Sequence, residues 1–270
     1  MCRWAAYKGQ PIFLEELVSS PAHSLIEQSH CATRAKTATN GDGFGIAWYG
    51  DREEPGRYRD ILPAWSDCNL KSIARQIRSP LFLAHVRAAT GGGTRRDNCH
   101  PFVHGRWTFM HNGQIAGFEY LRRPLENMLD DDLYQARTGT TDSELIFLLA
   151  CQFGLDRDPL AAISETLSFI ERLAIHLGHE ALVKFTAAFS NGQTLYAVRY
   201  ATDWNAPTLY AAPVGQGSGY CLVSEPLNDE DSMWLEIPDG SAVIIGDNGI
   251  DVKLFSTHTE HPQSALRKRA

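Results

Sequence analysis

The sequence predicts one α+β domain, and three observations carry that prediction. Of its 270 residues, 43% are hydrophobic and 21% charged, enough core-forming material for one large domain or two small ones. No repeat, low-complexity run or linker divides the chain, so one domain over 1–270 is expected. Strand signals lie on both sides of a helical middle. Pro159 to His176 is apolar at helical spacing, while Leu182–Phe189 and Thr194–Tyr200 flank a turn at Asn191-Gly192 and read as a hairpin.

Taken in order, Cys2 to Tyr7 reads as a short strand that fixes the N-terminus. Phe13–Val18 and Ser24–Gln28 carry short helical patterns separated by Ser20-Pro21. Asn40-Gly41-Asp42-Gly43 is a dense turn signal running into Phe44–Tyr49, a buried strand, and the Asp42 carboxylate is expected to tie that turn to backbone N–H groups. Arg52–Asp60 is charged and loop-like, and Leu70–Ile77 is a helix candidate. Leu81–Arg87 is an apolar strand that delivers Arg87 into the Thr- and Gly-rich segment Ala88–Gly93, an arrangement suited to a pocket rim, or else to a solvated loop.

Arg106–His111 is a strand that stops at Asn112-Gly113. By hairpin statistics that pair is a turn, but a side-chain amide and a backbone N–H side by side can also converge on one oxygen. A helical stretch covers Tyr120–Leu129. Gly139-Thr140-Thr141-Asp142-Ser143-Glu144 reads as the start of the helix Leu145–Cys151. Asp142 either satisfies that helix end or, turned outward, accepts from a ligand ammonium. Further strands are expected at Leu209–Ala211, Tyr220–Ser224 and Ala242–Ile245.

Charge and composition exclude several function classes. A net charge of −7 argues against a nucleic-acid or anionic-membrane surface, both of which need clustered Lys and Arg. The basic cluster Arg267-Lys268-Arg269 reads as a solvated tail. With no apolar run of membrane-spanning length and no secretory signal pattern, a cytoplasmic protein is expected. The six cysteines include no C-x-x-C, and the ten histidines no H-x-x-x-H on a helical pattern, so no metal or cofactor is expected and the thiols are expected free.

The first residues, Met1-Cys2-Arg3-Trp4, carry the sharpest chemistry. Removal of the initiator Met would leave Cys2 bearing both a thiol and an α-amine. That amine has a reference pKa of about 7.7–8.0, so near neutral pH it can take the thiol proton, directly or through one water. Cys is already a few per cent thiolate at pH 7 and is a strong nucleophile. A structural strand cysteine is the bland alternative.

In order and spacing, Cys2, His85-Val86-Arg87-Ala88-Ala89-Thr90, His111-Asn112-Gly113 and Gly139-Thr140-Thr141-Asp142-Ser143-Glu144 resemble class II glutamine amidotransferases, which are N-terminal-nucleophile hydrolases. Asn40-Gly41-Asp42-Gly43-Phe44-Gly45 and Ser224-Glu225-Pro226-Leu227 resemble their stand-alone branch, of the YafJ type and similar to the γ-glutamyl hydrolase of ergothioneine biosynthesis. The resemblance implies a four-layer αββα sandwich, two antiparallel sheets between helices. It implies Cys2 as nucleophile with its α-amine as base, and Asn112 and Gly113 as oxyanion hole. Arg87, with Thr90 beside it, would hold the α-carboxylate of glutamine or a γ-glutamyl small molecule, and Asp142 its α-ammonium. Many members carry Trp after the Arg and His after the Thr, where this chain has Ala88 and Gly91. With the chain ending at 270, a separate acceptor or synthetase subunit would be needed to use released ammonia.

Two enzyme readings share that site: hydrolysis of glutamine, or of a γ-glutamyl peptide or conjugate, which the smaller Ala88 and Gly91 favour. A glutamine-sensing regulatory protein is the non-enzyme alternative. A papain-like pair using His85 or His111 as base is a further one.

Overall fold

The alternation of apolar side chains along its strands gives the chain two sheets, each buried on both faces. The structure, a computed structural model, describes residues 2–30, 39–89, 93–215, 217 and 219–257. Met1, Cys31, Thr90, Gly91 and Arg267-Lys268-Arg269 lie outside the described residues.

In chain order the elements are β1 (Arg3–Phe13), α1 (Glu15–Val18), α2 (Leu25–His30), β2 (Phe44–Trp48), β3 (Gly56–Asp60), α3 (Cys68–Gln76), β4 (Arg78–Val86), β5 (Phe102–His104), β6 (Trp107–Ile115), α4 (Phe118–Glu126), α5 (Asp131–Ala136), α6 (Asp142–Gln152), α7 (Pro159–His176), β7 (Val183–Ser190), β8 (Leu195–Ala201), β9 (Tyr210–Val214), β10 (Gly219–Val223), β11 (Leu235–Glu236), β12 (Ser241–Gly246) and β13 (Gly249–Leu254). Sheet A runs β11-β9-β10-β1-β4-β2-β3 and sheet B runs β13-β12-β8-β7-β6-β5. Every pairing among the described residues is antiparallel.

Three apolar layers separate four structural ones. Ala5, Tyr7, Phe82 and Ala84 pack sheet A against α1, α2 and α3. Trp4, Ala6, Leu81, Leu83, Met110 and Ala188 fill the space between the sheets. Phe109, Phe185 and Phe189 pack sheet B against α4, α6 and α7. Because side chains in a strand alternate, each sheet sends one set inward and the next outward. The expected αββα sandwich is therefore present.

Helix starts follow their sequence signals. The Asp67 carboxylate accepts from Leu70 N–H at 2.6 Å at α3, and Asp158 accepts from Ala161 N–H at 3.1 Å at α7, where Pro159 occupies the first turn. α6 is buried along Ser143–Ala150, and Phe147 stacks on Phe109 with centroids 5.3 Å apart. Burial of a ring that size contributes roughly 1.5–3 kcal/mol, which fixes the start of α6 against β6.

Two expectations are corrected. The loop-like stretch ending at Asp60 contains β3, whose alternating Arg57 and Arg59 suit an edge strand. Asn112-Gly113 is not a turn: β6 runs through both, with Asn112 opposite Thr186 and Gly113 opposite Phe185. Cross-strand pairing overrides the local turn propensity there.

Candidate active site

Cys2 stands at the head of β1, the central strand of sheet A, and side chains of the motif Ser224–Leu227 hold it there. Trp4 N–H donates to Ser224 Oγ at 3.0 Å, and Ser224 N–H donates to the Trp4 carbonyl at 3.0 Å. Arg3, itself buried, donates to the Cys2 carbonyl at 3.2 Å and lies 3.6 Å from the Glu225 carboxylate. The terminus is thereby pinned, as a nucleophile at a chain end requires. Cys2 shares strand parity with Trp4 and Ala6 of the inter-sheet layer, and its thiol donates to the Ala88 carbonyl at 3.6 Å.

Arg87 follows β4 one residue beyond the Arg3–Val86 pair and so comes opposite Cys2. It is 4% exposed, which removes the solvated-loop reading. Its main chain is locked to the Gly43 turn, with Arg87 N–H on the Gly43 carbonyl at 2.8 Å and Asp42 N–H on the Arg87 carbonyl at 3.1 Å. The Asp42 carboxylate accepts from Ala89 N–H at 2.8 Å, the tying role its sequence predicts. Gly43 has φ +113°, and a Cβ there would press on Cys99 Sγ at 2.6 Å, so the turn needs glycine.

On sheet B, Asn112 shares parity with Met110 of the inter-sheet layer and faces the same space as Cys2. Its amide is free of protein hydrogen bonds among the described residues. A Cβ on Gly113 would overlap the Lys184 carbonyl, so only glycine fits. Ile115 N–H leaves the β7 side of the strand to reach Asp142 Oδ2 at 3.0 Å. By the two-residue repeat, Gly113 N–H points to the same open edge.

Asp142 occupies the first turn of α6 while Thr141 caps it, accepting from Glu144 N–H at 3.2 Å. Asp142 Oδ1 accepts from Ser143 N–H at 2.8 Å and from its hydroxyl at 3.2 Å. Three donors fill three of about four acceptor sites on a carboxylate, and the residue is half-buried, so one site stays open to a ligand.

A family model described as glutamine amidotransferases class-II matches residues 18–216. The chain belongs to that family. The match begins after Cys2. A glutamine aminotransferase class-II domain protein from Silicibacter pomeroyi has a solved structure that superposes with a TM-score of 0.76 at 39% identity, covering 96% of this chain and all of that one. The γ-glutamyl-hercynylcysteine sulfoxide hydrolase of Mycolicibacterium smegmatis is 31% identical over 92% of this chain and 96% of its own length. The probable glutamine amidotransferase DUG3 of Saccharomyces cerevisiae is 41% identical over 55% of this chain, which spans 44% of that relative.

In this amidotransferase the electrostatics favour a base other than histidine. Enclosure pushes the Cys2 thiol above its ordinary value, offset in part by the Ala88 carbonyl contact and by the Arg87 and Arg3 cations. To act as a nucleophile such a thiol would need a base. His111 sits on the opposite face of β6 from Asn112, with Nε2 on the Lys184 carbonyl at 3.2 Å and Nδ1 on Ser143 Oγ at 2.9 Å. Burial holds it neutral against the opposing pull of Asp142. Burial, with Arg87 adding to it, lowers His85 to about 3. Neither imidazole is hydrogen-bonded to Cys2 among the described residues, which speaks against a papain-like pair.

Sequence reasoning missed Asn98 and underread Glu144. Asn98 is fully buried. Its Oδ1 accepts from Thr140 N–H at 2.8 Å, and its Nδ2 donates to Thr140 Oγ1 at 3.2 Å and to the Gly93 carbonyl at 3.4 Å. Arg87 Nη1 donates to the same Gly93 carbonyl at 3.1 Å. Asn98 thus joins the Arg87 segment to the one leading into Asp142. Glu144 closes the latter, accepting from Thr138 N–H at 2.9 Å and Gly139 N–H at 2.6 Å. Glu144 had a signal as a helix-start acid, whereas the bond that gives Asn98 its role reaches Thr140, 42 residues away, and leaves none.

Proposed function

We propose that this chain hydrolyses a γ-glutamyl amide bond through a thioester on Cys2, exposed as the first residue by removal of Met1. The observation that carries the reading is the placement of the Cys2 thiol opposite buried Arg87 on one sheet, facing the layer into which Asn112 projects from the other. The α-amine takes the thiol proton and the thiolate adds to the γ-carbonyl. Asn112 amide and Gly113 N–H receive the oxyanion. The α-ammonium returns the proton to the leaving nitrogen as the C–N bond breaks, and water then cleaves the thioester to glutamate. Arg87 pairs with the substrate α-carboxylate and Asp142, through its open acceptor site, with the α-ammonium. Thr90 is assigned beside Arg87 from the motif alone.

The γ-substituent is proposed to be larger than an amide. Ala88 stands where many members carry Trp, and a relative matching nearly the whole chain bears the name of a γ-glutamyl conjugate hydrolase. The test is release of glutamate from glutamine, glutathione and a panel of γ-glutamyl conjugates by wild type and Cys2→Ala. Turnover of at least one conjugate above glutamine, lost in Cys2→Ala, is expected. Preference for glutamine alone would return the assignment to a plain glutaminase, and turnover by Cys2→Ala would end it.

A further inference from the structure

We propose a second site, outside the amidotransferase pocket, that binds a small oxyanion, a phosphate or carboxylate group, between Arg57, Arg59 and Arg96 at the free edge of sheet A. A cavity of about 320 Å³ lies there, lined by Arg57, Tyr58, Arg59, Asp60 and Arg96, a volume at the lower end of small-ligand sites. Arg57 and Arg59 are opposite Ala47 and Gly45 in β2 and leave the same face of β3, roughly 7 Å apart along the strand.

The lining holds three cations and one carboxylate, and that carboxylate is committed. Asp60 accepts from Arg96 Nη2 at 2.8 Å and from the N–H groups of Ile61 and Leu62 at 2.7 and 3.1 Å. Arg59 Nη1 donates to the carbonyls of Cys99 at 2.9 Å and Asp97 at 3.4 Å, which aims the guanidinium without neutralising it. Arg57 is exposed and has no hydrogen-bond or ion-pair partner among the described residues. Surrounding protein and the like charge of Arg59 pull its guanidinium down to about 10, against the weaker opposing pull of Asp97 and Glu144. Arg57 and Arg59, neither ion-paired with a carboxylate among the described residues, thus repel each other in a chain of net charge −7. An oxyanion relieves that repulsion, and guanidinium forks match it with paired hydrogen bonds. The site lies behind the pocket wall, because Asn98, between the two carbonyls that Arg59 holds, bonds Thr140 and Gly93. Charge on an edge strand also deters strand pairing, a role that needs no ligand and predicts no binding.

Inorganic phosphate and glutarate, titrated separately into the full chain at low ionic strength, test the site by calorimetry and by the arginine Nε–H signals in NMR. Saturable binding of either anion with shifts at Arg57 and Arg59 is expected, and whichever binds tighter identifies the group. Arg57→Gln removes an unpartnered side chain and should weaken binding about tenfold or more. Arg172→Gln, at an exposed arginine paired with Glu165 on α7, should not. Non-saturating titration, or wild-type affinity in Arg57→Gln, overturns the proposal. Arg57→Gln should retain γ-glutamyl hydrolysis, so failure of this site is distinguishable from failure of the catalytic reading.

Discussion

Asn112 projects between the sheets an amide with no protein partner among the described residues, whereas Asp142 is tied to three protein donors, and the two should fail differently when truncated. Loss of one oxyanion donor typically costs about 10²–10³ in kcat, so Asn112→Ala should lower kcat with little change in KM. An ion pair to a fixed end of the substrate acts in ground and transition states alike, so Asp142→Ala should mainly raise KM and relax the demand for a free α-ammonium. Steady-state kinetics of both variants on glutamine and an α-N-acylated analogue check this. Equal impairment of Asp142→Ala on both substrates would leave Asp142 as a helix-start residue only. At this scale the sequence reading reached Arg87, because a strand of apolar residues ending in Arg is a local pattern. Whether that Arg is buried depends on the Gly43 turn, more than forty residues away, and no local pattern carries that.

Segments, not single side chains, set the distance between the proposed cation and anion of the pocket. Asn98 bonds both the segment after β4 and the one before α6, so Asn98→Ala should raise KM for the γ-glutamyl substrate by roughly tenfold while kcat falls less. It leaves buried donors unpaired, at a cost of about 1–3 kcal/mol. Asn98→Asp keeps the acceptor for Thr140 N–H and should recover part of the loss. A drop in thermal stability with unchanged KM and kcat would make the bond purely structural. Elements with a long period were legible: α7 falls on Pro159–His176 as its apolar spacing predicts, and the β7–β8 hairpin turns at Asn191-Gly192. Asn112-Gly113 has the same local chemistry and is strand, because β7 pairs with it along its length. β3, β5, β11 and β13 were not foreseen, being short or largely exposed edge pieces with few buried side chains.

Across the whole molecule, the αββα layering followed from a family resemblance, since strand signals alone do not say which of two sheets a strand joins. The layer between the sheets also meets the His85 and His100 rings, 4.2 Å apart, whose ring nitrogens are buried. Burial holds both neutral, His85 at about 3 and His100 well below its ordinary value. The unfolded chain binds protons at these positions below about pH 6.5 and the folded chain does not, so stability is full above that pH and falls on acidification towards pH 3. For His85 the loss is about 2 kcal/mol at pH 5, and denaturant midpoints of His85→Phe should show a shallower acid slope than wild type. An unchanged slope would mean the pair is protonated in the fold. The pocket proposed for the γ-glutamyl substrate lies where Cys2 on one sheet and Asn112 on the other both face this layer, so the identity of the nucleophile decides the chemistry. The most direct measurement is peptide mapping after reaction with a diazo-ketone analogue of glutamine, on protein processed to Cys2 and on protein retaining Met1. One adduct per chain, on Cys2 and formed only in the processed protein, is the predicted result; an adduct on Cys99 or any other cysteine, or equal labelling and turnover with Met1 retained, would contradict it.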